Sequence, residues 1–398
     1  MAGKALRVLG LAYRVLPKKH SKDDLEEQLV FVGFVGMIDP PRPEVAEAIA
    51  LAKKAGIKTV MATGDHKNTA IAIAKQVGIM SEGDKVLTGE DVSNMTEEEL
   101  DHVISDVSVF ARISPHDKVR LMTSFKSVDE IVAMTGDGVN DAPALKEAHV
   151  GVAMGIKGTD VTKEASDMIL EDDNYATIVK AVETGRGIYD NIKKFVRFLL
   201  SANFDEIIVV GSSFFMGLPV PLLPLQILWI NLITDSAPAL ALSVDPPEDD
   251  IMERPPRNPK EGVLAGLTGF IVVAGIVAAI VTMIVFVYGL GSSVEKGRTM
   301  AFTITVFFEL FFVFNCRSEN HSIFKTNPFS NKKLILAVLL GAALQLAVIY
   351  TPFLQVAFKT VPLALKDWAY IIPLSMVGLL IPPHIFLRNH KKKYKVAS

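Results

Sequence analysis

Long apolar runs fill the second half of this chain, and they constrain its fold more than any other feature of the sequence. Half of the 398 residues are hydrophobic, and the mean hydropathy is positive, +0.34, which is too apolar for an ordinary soluble protein. The apolar residues are concentrated from residue 195 onward, whereas residues 1–190 have a globular composition. The sequence therefore predicts a soluble half followed by a membrane half.

Six segments of the second half approach the roughly 20 apolar residues that cross a bilayer as a helix. They lie at about 195–217, 222–243, 264–289, 298–316, 333–353 and 367–387. Lysine and arginine are concentrated in the loops after the second and fourth segments and in the tail. This bias predicts that the soluble half and the C-terminus of a multi-pass protein lie in the cytoplasm. The cell membrane is the expected location.

The soluble half contains one unusual string, Thr135-Gly136-Asp137-Gly138-Val139-Asn140-Asp141-Ala142-Pro143. The apolar residues 131–134 precede it and a helical pattern follows, so the string reads as a strand, a tight turn and a helix. The turn places Asp137 and Asp141 close together at the end of the strand. Carboxylates in this setting suit Mg²⁺ and a phosphate group. The alternative is an acidic surface turn in which Asp141 caps the helix.

Strands and helices alternate along the rest of the soluble half, which is the pattern of a parallel sheet covered by helices. We predict a buried strand at 29–36, further strands at 57–61, 107–111, 151–154 and 168–170, and helices at 44–55 and from Tyr175 onward. Thr63 and Gly64 follow a strand and could hold a phosphate, or form a plain polar turn. Lys118 lies one turn into a helix that begins at Ser114-Pro115, where a solvated lysine is the ordinary interpretation.

Polar residues interrupt three of the apolar segments, and such residues are costly in a membrane and usually functional. They are Asn203 and Glu206 in the first segment, Asn231, Thr234 and Asp235 in the second, and Glu309 in the fourth. In the first two groups the spacing of three or four residues predicts one helical face, and Glu309 stands alone among phenylalanines. Pro238 is expected to break its helix and free carbonyl groups. Together these groups supply only oxygen ligands, as calcium prefers, although interhelical hydrogen bonding is the alternative. Asp205 has no assigned role.

Several motifs, in the same order along the chain, resemble those of P-type cation-transporting ATPases. They are Met37-Ile38-Asp39-Pro40-Pro41-Arg42, Thr63-Gly64-Asp65, Ala111-Arg112-Ile113-Ser114-Pro115, Gly136 to Pro143, and Asn231-Leu232-Ile233-Thr234-Asp235. The resemblance implies a haloacid-dehalogenase-like, Rossmann-like α/β domain in the cytoplasm, followed by an all-α transmembrane bundle of six helices. It assigns residues 1–36 to the end of a nucleotide-binding domain, 37–190 to the phosphorylation domain, 191–390 to the membrane domain and 391–398 to a basic tail.

The resemblance also implies roles for individual residues. The catalytic residues would be Thr63, Gly64, Asp65, Lys118 and Asn140; Arg7 would contact ATP; Asp137 and Asp141 would bind Mg²⁺; and Asn203, Glu206, Asn231, Thr234, Asp235 and Glu309 would bind the transported cation. Such a protein would hydrolyse ATP and move a cation across the membrane, with calcium the favoured ion. Its partners would be membrane lipid, ATP and the cation; nothing in the composition indicates nucleic acid. The single cysteine, Cys316, excludes an intramolecular disulfide.

The phosphorylated Asp-Lys-Thr-Gly motif of this family does not occur in the sequence. The chain is therefore expected to correspond to the C-terminal part of a pump and to be inactive without the missing N-terminal part. A pump for sodium or another monovalent cation, an inactive membrane scaffold and a membrane-anchored phosphatase are the alternatives. ATP-dependent phosphorylation and its dependence on calcium or sodium distinguish them.

Overall fold

The computed structural model describes residues 7–16, 23–37, 40–318 and 327–381. Outside these ranges lie residues 1–6 and 17–22, Ile38, Asp39, the segment 319–326 and everything after residue 381. The Arg7 side chain is also outside the description, so its predicted contact with ATP stays a prediction. The chain forms two compact units, one from Met1–Glu183 with Asp249–Pro259 and the other from Thr184–Glu248 with Lys260–Ser398.

The first unit opens with an antiparallel hairpin of β1, Arg7–Tyr13, and β2, Val30–Met37. A short 3-10 turn, Asp23–Glu26, lies between the two strands. The strand that the sequence predicts here is present as β2. Its predicted burial is wrong, because Phe31 and Phe34 are 60% and 61% exposed. Since β2 pairs only with β1 in the described residues, the ribbon has no sheet on either side to bury its apolar side chains.

Six further strands form two parallel sheets, as the alternating pattern predicts. They are β3 (Met61–Thr63), β4 (Lys85–Thr88), β5 (Val107–Ala111), β6 (Ala133–Gly136), β7 (Val150–Met154) and β8 (Met168–Leu170). The orders are β3-β5-β4 and β6-β7-β8. The strand predicted at 57–61 begins only at Met61, because β3 is an edge strand and only its residues 61–63 find partners on β5.

Helices follow the strands and cover the sheets. They are α1 (Pro43–Lys54), α2 (Lys67–Val77), α3 (Gly89–Asn94), α4 (Glu97–Ile104), α5 (Pro115–Ser127), α6 (Ala142–Glu147) and α7 (Asp160–Glu164). Ser114 begins α5 with a capping box to Asp117, and Pro115 suits the first turn. Phe110 of the first sheet and Met134 of the second belong to one buried cluster with Leu121 and Leu145, so the two sheets share a core.

The second unit is helical. Its helices are α8 (Tyr175–Phe215, beginning in the first unit), α9 (Pro224–Trp229), α10 (Ser236–Leu242), α11 (Thr268–Leu290), α12 (Val294–Asn315), α13 (Lys332–Tyr350), α14 (Pro352–Phe358) and α15 (Leu365–Ser375). A π-helical turn, Ile230–Thr234, joins α9 to α10, and a 3-10 turn, Met376–Leu380, follows α15. Pro238 lies in the first turn of α10, where no amide is needed, and the regular α-helix of this segment is interrupted just before it by the π-helical turn and Asp235. The carbonyl groups that Pro238 is expected to free stay a prediction.

Five helices of the described residues are long and apolar enough to cross a membrane. They are Tyr175–Phe215, Pro224–Leu242, Thr268–Leu290, Val294–Asn315 and Lys332–Tyr350. The sixth predicted span extends past the described residues and stays a prediction. Helix α12 is the centre of the unit, since 78% of its apolar stretch is buried against 33–50% in the other four.

A buried polar cluster ties several of these helices together at Asp245, which is 5% exposed. We call Lys194, Asp245, Arg317 and Asn331 the Asp245 cluster. The Asp245 carboxylate accepts hydrogen bonds from Lys194 Nζ at 2.9 Å, Arg317 Nε at 3.0 Å and Asn331 Nδ2 at 2.8 Å. Two cations therefore depend on one carboxylate in an interior where charges need partners.

Replacing Asp245 by Asn is expected to lower the free energy of unfolding by about 3–5 kcal/mol, because it leaves two buried cations unpaired. Cys316 is the single cysteine and is fully buried, so the temperature at which it reacts with a fluorogenic thiol dye reports unfolding of this unit. Glu295→Gln, in the exposed first turn of α12, is the control, with an expected change below about 1 kcal/mol. Equal unfolding temperatures for the two variants would contradict this role.

Candidate catalytic and cation-binding sites

In the first unit, the predicted catalytic residues follow strand ends. Thr63 ends β3, Asp137 follows β6, and Lys118 lies in the first turn of α5, shortly after β5. The carboxyl ends of parallel strands share one edge of a sheet, which is where ligands bind in open α/β folds. The predicted residues are therefore brought to the edges where such a site belongs.

Lys118 and Asp141 form an ion pair, with Lys118 Nζ 2.5 Å from Asp141 Oδ1. The pair joins the helix after the first sheet to the turn after the second. Asp141 also accepts the amide N–H groups of Asp137 and Gly138 at 3.3 Å. Gly136 permits this close approach, because a Cβ there would lie 2.5 Å from the Cβ of Asp141. Asp141 is thus held by one lysine and two amides.

The two aspartates therefore differ in this arrangement. Asp141 is 7% exposed and its carboxylate is engaged with Lys118, whereas Asp137 is exposed and its carboxylate has no hydrogen-bond partner among the described residues. Asn140 is also exposed, within a short 3-10 turn. Asp137 is the carboxylate available to a cation here, and a magnesium ligand at Asp141 stays a prediction.

The Thr63-Gly64-Asp65 turn is held against the segment after β5. Asp65 donates its amide to Thr63 Oγ1 at 3.1 Å, and Arg112 and Ile113 donate theirs to the carbonyls of Asp65 and Thr63 at 3.0 and 3.2 Å. Gly64 and the Asp65 side chain are exposed. The turn is therefore rigid and open to solvent, which suits a phosphate-binding loop.

One open edge of each parallel sheet lies at a strand that leads into a predicted site motif. In the described residues, β3 pairs only with β5, and β6 pairs only with β7. Strands of parallel sheets are normally buried between neighbours. The two open edges belong to the strands that carry Thr63 and Gly136 at their ends.

In the helical unit, the structure pairs four of the predicted cation ligands, Glu206 with Asn231 and Asp235 with Glu309. Asn231 donates Nδ2 to both carboxylate oxygens of Glu206, at 3.0 and 2.8 Å. The carboxyl groups of Asp235 and Glu309 approach each other. No N–H or O–H group of the described residues donates a hydrogen bond to either of them. Adjacent carboxylates repel unless a cation or a proton lies between them.

Asn203 and Glu206 do not share a face as the three-residue spacing predicted. Asn203 is exposed and donates Nδ2 to the carbonyl of Leu199 at 2.8 Å, whereas Glu206 and Asp205 are buried. Positions three apart on a helix differ by about 60° in direction, so a buried face can include one and leave out the other. Sequence spacing carries no signal for the rotation of α8 that buries Asp205 instead.

The π-helical turn shapes the backbone beside these carboxyl groups. Asp235 donates its amide to the carbonyl of Ile230 at 2.9 Å, five residues back, and the Thr234 hydroxyl donates to the same carbonyl at 3.0 Å. Within the described part of the chain, no three His, Cys, Asp or Glu side chains are placed to hold a metal ion. The carboxyl groups of this region therefore do not by themselves form a complete coordination shell.

Comparison with known proteins matches both units. Residues 3–149 match the family model of haloacid dehalogenase-like hydrolases, and residues 219–383 match that of the C-terminus of cation transporting ATPases. The Calcium-transporting ATPase of Bacillus subtilis (strain 168) is 48% identical over 383 residues, which cover 95% of this chain and 43% of the relative. The Calcium-transporting ATPase type 2C member 1 of Mus musculus is 43% identical over 399 residues, 100% of this chain and 42% of the relative.

The fold and the sites define an integral membrane protein that combines a hydrolase-type α/β unit with a membrane-helix unit carrying buried carboxyl groups. With these matches, the chain belongs to the family of P-type cation-transporting ATPases. It spans less than half the length of the curated relatives it matches.

Proposed function

We propose that this chain provides the phosphorylation-domain residues and the transport site of an ATP-driven calcium pump. The observation that carries the proposal is the approach of Asp235 and Glu309, two buried carboxyl groups without hydrogen-bond donors, beside the Glu206–Asn231 pair. Thr234 adds a hydroxyl oxygen. These are hard oxygen ligands, which suit a divalent cation in a membrane interior.

In the first unit, the phosphoryl group transferred from ATP lies between the strand ends of β3 and β6. The Thr63 and Gly64 turn holds it, and the charge of Lys118 neutralises it. Asp137 and, by resemblance, Asp141 would hold Mg²⁺, which would supply further positive charge beside the transferred group. Asp65 and Asn140 orient these loops, and Arg7 contacts ATP.

The aspartate that accepts the phosphoryl group comes from a strand placed between the open edges of β3 and β6. Such a strand would convert the two three-stranded sheets into one continuous parallel sheet. Its carboxyl end would then lie beside Thr63 and Asp137. This proposal gives a physical reason for two unpaired edges, which are a liability in an isolated domain. The first unit lies on the cytoplasmic side of a cell membrane, as the lysine and arginine bias of the loops indicates.

A chimera tests this function. The part of the Bacillus subtilis relative that has no counterpart in this chain is joined to residues 1–398, and ATP-dependent uptake of calcium is measured in inverted membrane vesicles. We expect calcium uptake that requires ATP and Mg²⁺. Sodium-dependent ATP hydrolysis without calcium uptake would favour the monovalent-cation pump. A folded chimera that forms no phosphoenzyme would favour the scaffold.

A further inference from the structure

Arg112 follows strand β5, and its backbone is left-handed, with a φ of 54°. A residue with a Cβ rarely adopts this conformation, and such residues cluster at functional sites. Ala111, the last residue of β5, pairs with Thr63 of β3 on one side and with Thr88 of β4 on the other. The left-handed turn at Arg112 therefore occurs where all three strands of the first sheet end.

The conformation of Arg112 directs two consecutive amides to one loop. In an extended strand the N–H groups of neighbouring residues point to opposite sides, whereas a left-handed residue can turn two of them towards the same acceptors. Arg112 donates its amide to the Asp65 carbonyl at 3.0 Å. Ile113 donates its amide to the Thr63 carbonyl at 3.2 Å. Because the Ile113 side chain belongs to the buried core of this unit, both bonds fix the proposed phosphate-binding turn to that core.

The same short segment begins the helix that carries Lys118. Ser114 is the N-cap of α5, and its amide and hydroxyl donate to the Asp117 carboxylate at 2.8 and 2.7 Å. Lys118 follows within the first turn and forms its ion pair with Asp141. Residues 112–114 therefore connect the turn that would hold the phosphoryl group to the lysine that would neutralise it.

Gly89 makes room for this backbone. It is buried at the start of α3, directly after the N-cap Thr88. A Cβ at Gly89 would overlap the carbonyl oxygen of Arg112 and lie 3.3 Å from the Cα of Ile113. These are backbone atoms, which cannot rotate away as the end of a flexible side chain can. The φ of Gly89 lies outside the left-handed region, so the close approach, and not its own conformation, requires glycine here.

We propose that Arg112 and Gly89 are positioning residues for phosphoryl transfer, because together they fix the Thr63–Gly64 turn relative to Lys118. The left-handed backbone of Arg112 sets the direction in which the chain leaves β5, and Gly89 allows α3 to pack against it. A misplacement of about 1 Å at a reacting centre can cost on the order of 10²-fold in rate. This positioning role rests on the proposed function and adds two residues to it.

Paired substitutions in the chimera described above separate the backbone of Arg112 from its guanidinium group. Arg112→Gly and Arg112→Val both remove the guanidinium, but only glycine adopts a φ of 54° without strain. Gly89→Ala tests the close approach, and Gly185→Ala on α8 is its matched control, because a Cβ there meets no atom within 4 Å. The rate of phosphoenzyme formation at saturating ATP is measured together with the ATP concentration that gives half of that rate.

We expect Arg112→Val to form phosphoenzyme at least about tenfold more slowly than Arg112→Gly, and Gly89→Ala at least about tenfold more slowly than Gly185→Ala. The half-saturating ATP concentration should not change, because an interaction needed only in the transition state lowers the rate without weakening ATP binding. Hydrogen exchange supplies a second readout. The amides of Arg112 and Ile113 should exchange faster in Arg112→Val and Gly89→Ala, while the protected amides of β5 show that the first sheet is folded.

Equal rates within both pairs of variants would overturn the positioning role and leave the proposed function standing. A slower rate with a matching rise in the half-saturating ATP concentration would assign the segment to nucleotide binding and would also overturn it. If Arg112→Val loses the protection of β5, the comparison of Gly89→Ala with Gly185→Ala decides. An unmutated chimera that forms no phosphoenzyme would overturn the proposed function and the positioning role together.

Discussion

Replacing Asp235 by Asn is expected to abolish calcium-dependent uptake by the chimeric pump. Asp235 is 1% exposed and approaches Glu309 across the helices of the second unit. Asparagine has nearly the same shape, so the packing of α10 is kept while one negative charge is lost. Because even residues that only support metal ligands change affinity by about 10–100-fold, we expect the apparent calcium affinity to fall by more than about 100-fold.

The measurement is the calcium dependence of phosphoenzyme formation, with ATP and Mg²⁺ held constant. Thr234→Ser is the matched control, because it keeps the hydroxyl oxygen on the same turn, and it should retain calcium activation within a few-fold. Phosphoenzyme formed from inorganic phosphate, which needs no calcium at the transport site, shows that the variant remains competent in its first unit. An unchanged calcium dependence in Asp235→Asn would remove this residue from the site.

Replacing Lys118 by Met is expected to reduce phosphoenzyme formation by at least about 10²-fold, the effect of losing one group that stabilises transition-state charge. The side chains of Lys118 and Asp141 are 17% and 9% exposed and 2.5 Å apart. The substitution therefore also leaves a nearly buried carboxylate that only backbone amides stabilise. We expect a lower free energy of unfolding of the first unit as well as the catalytic loss.

Lys126→Met is the control on the same helix. Lys126 pairs with Glu147 at 2.7 Å, but both side chains are more than a third exposed, so its loss should cost at most about 1 kcal/mol and leave phosphorylation unchanged. The double variant Lys118→Met, Asp141→Asn should recover stability but not phosphorylation. If Lys118→Met is phosphorylated at the rate of the unmutated chimera, its role is purely structural.

The sequence predicts much of the fold because the signals for it are local. The strands at 107–111 and 168–170 and the helix start at Ser114-Pro115 are confirmed, since apolar runs, caps and prolines act within a few residues. The start of β3 at Met61 is set by pairing with β5, and the exposure of Phe31 depends on what covers the hairpin. Neither can be derived from neighbouring residues alone.

The residues of the candidate sites also differ in how far local sequence signals predict their positions. The motif around Asp137 identifies the strand end. The ion pair between Asp141 and Lys118, however, depends on two helices that meet across the shared core. The placement of Asn203 outside and Asp205 inside depends on a rotation of α8 that its neighbours determine. The Asp245 cluster joins residues far apart in the chain, so no local sequence pattern predicts it.

The π-helical turn at Ile230–Thr234 makes the length of this segment as important as its composition. It holds one residue more than an α-helical turn would, and an α-helix advances about 100° and 1.5 Å per residue. A single deletion within it would regularise the helix and rotate everything downstream by roughly that angle. Asp235 would then turn away from Glu309, or Asp245 from its two cations. Insertions and deletions here should therefore be tolerated less well than any single substitution in the same segment.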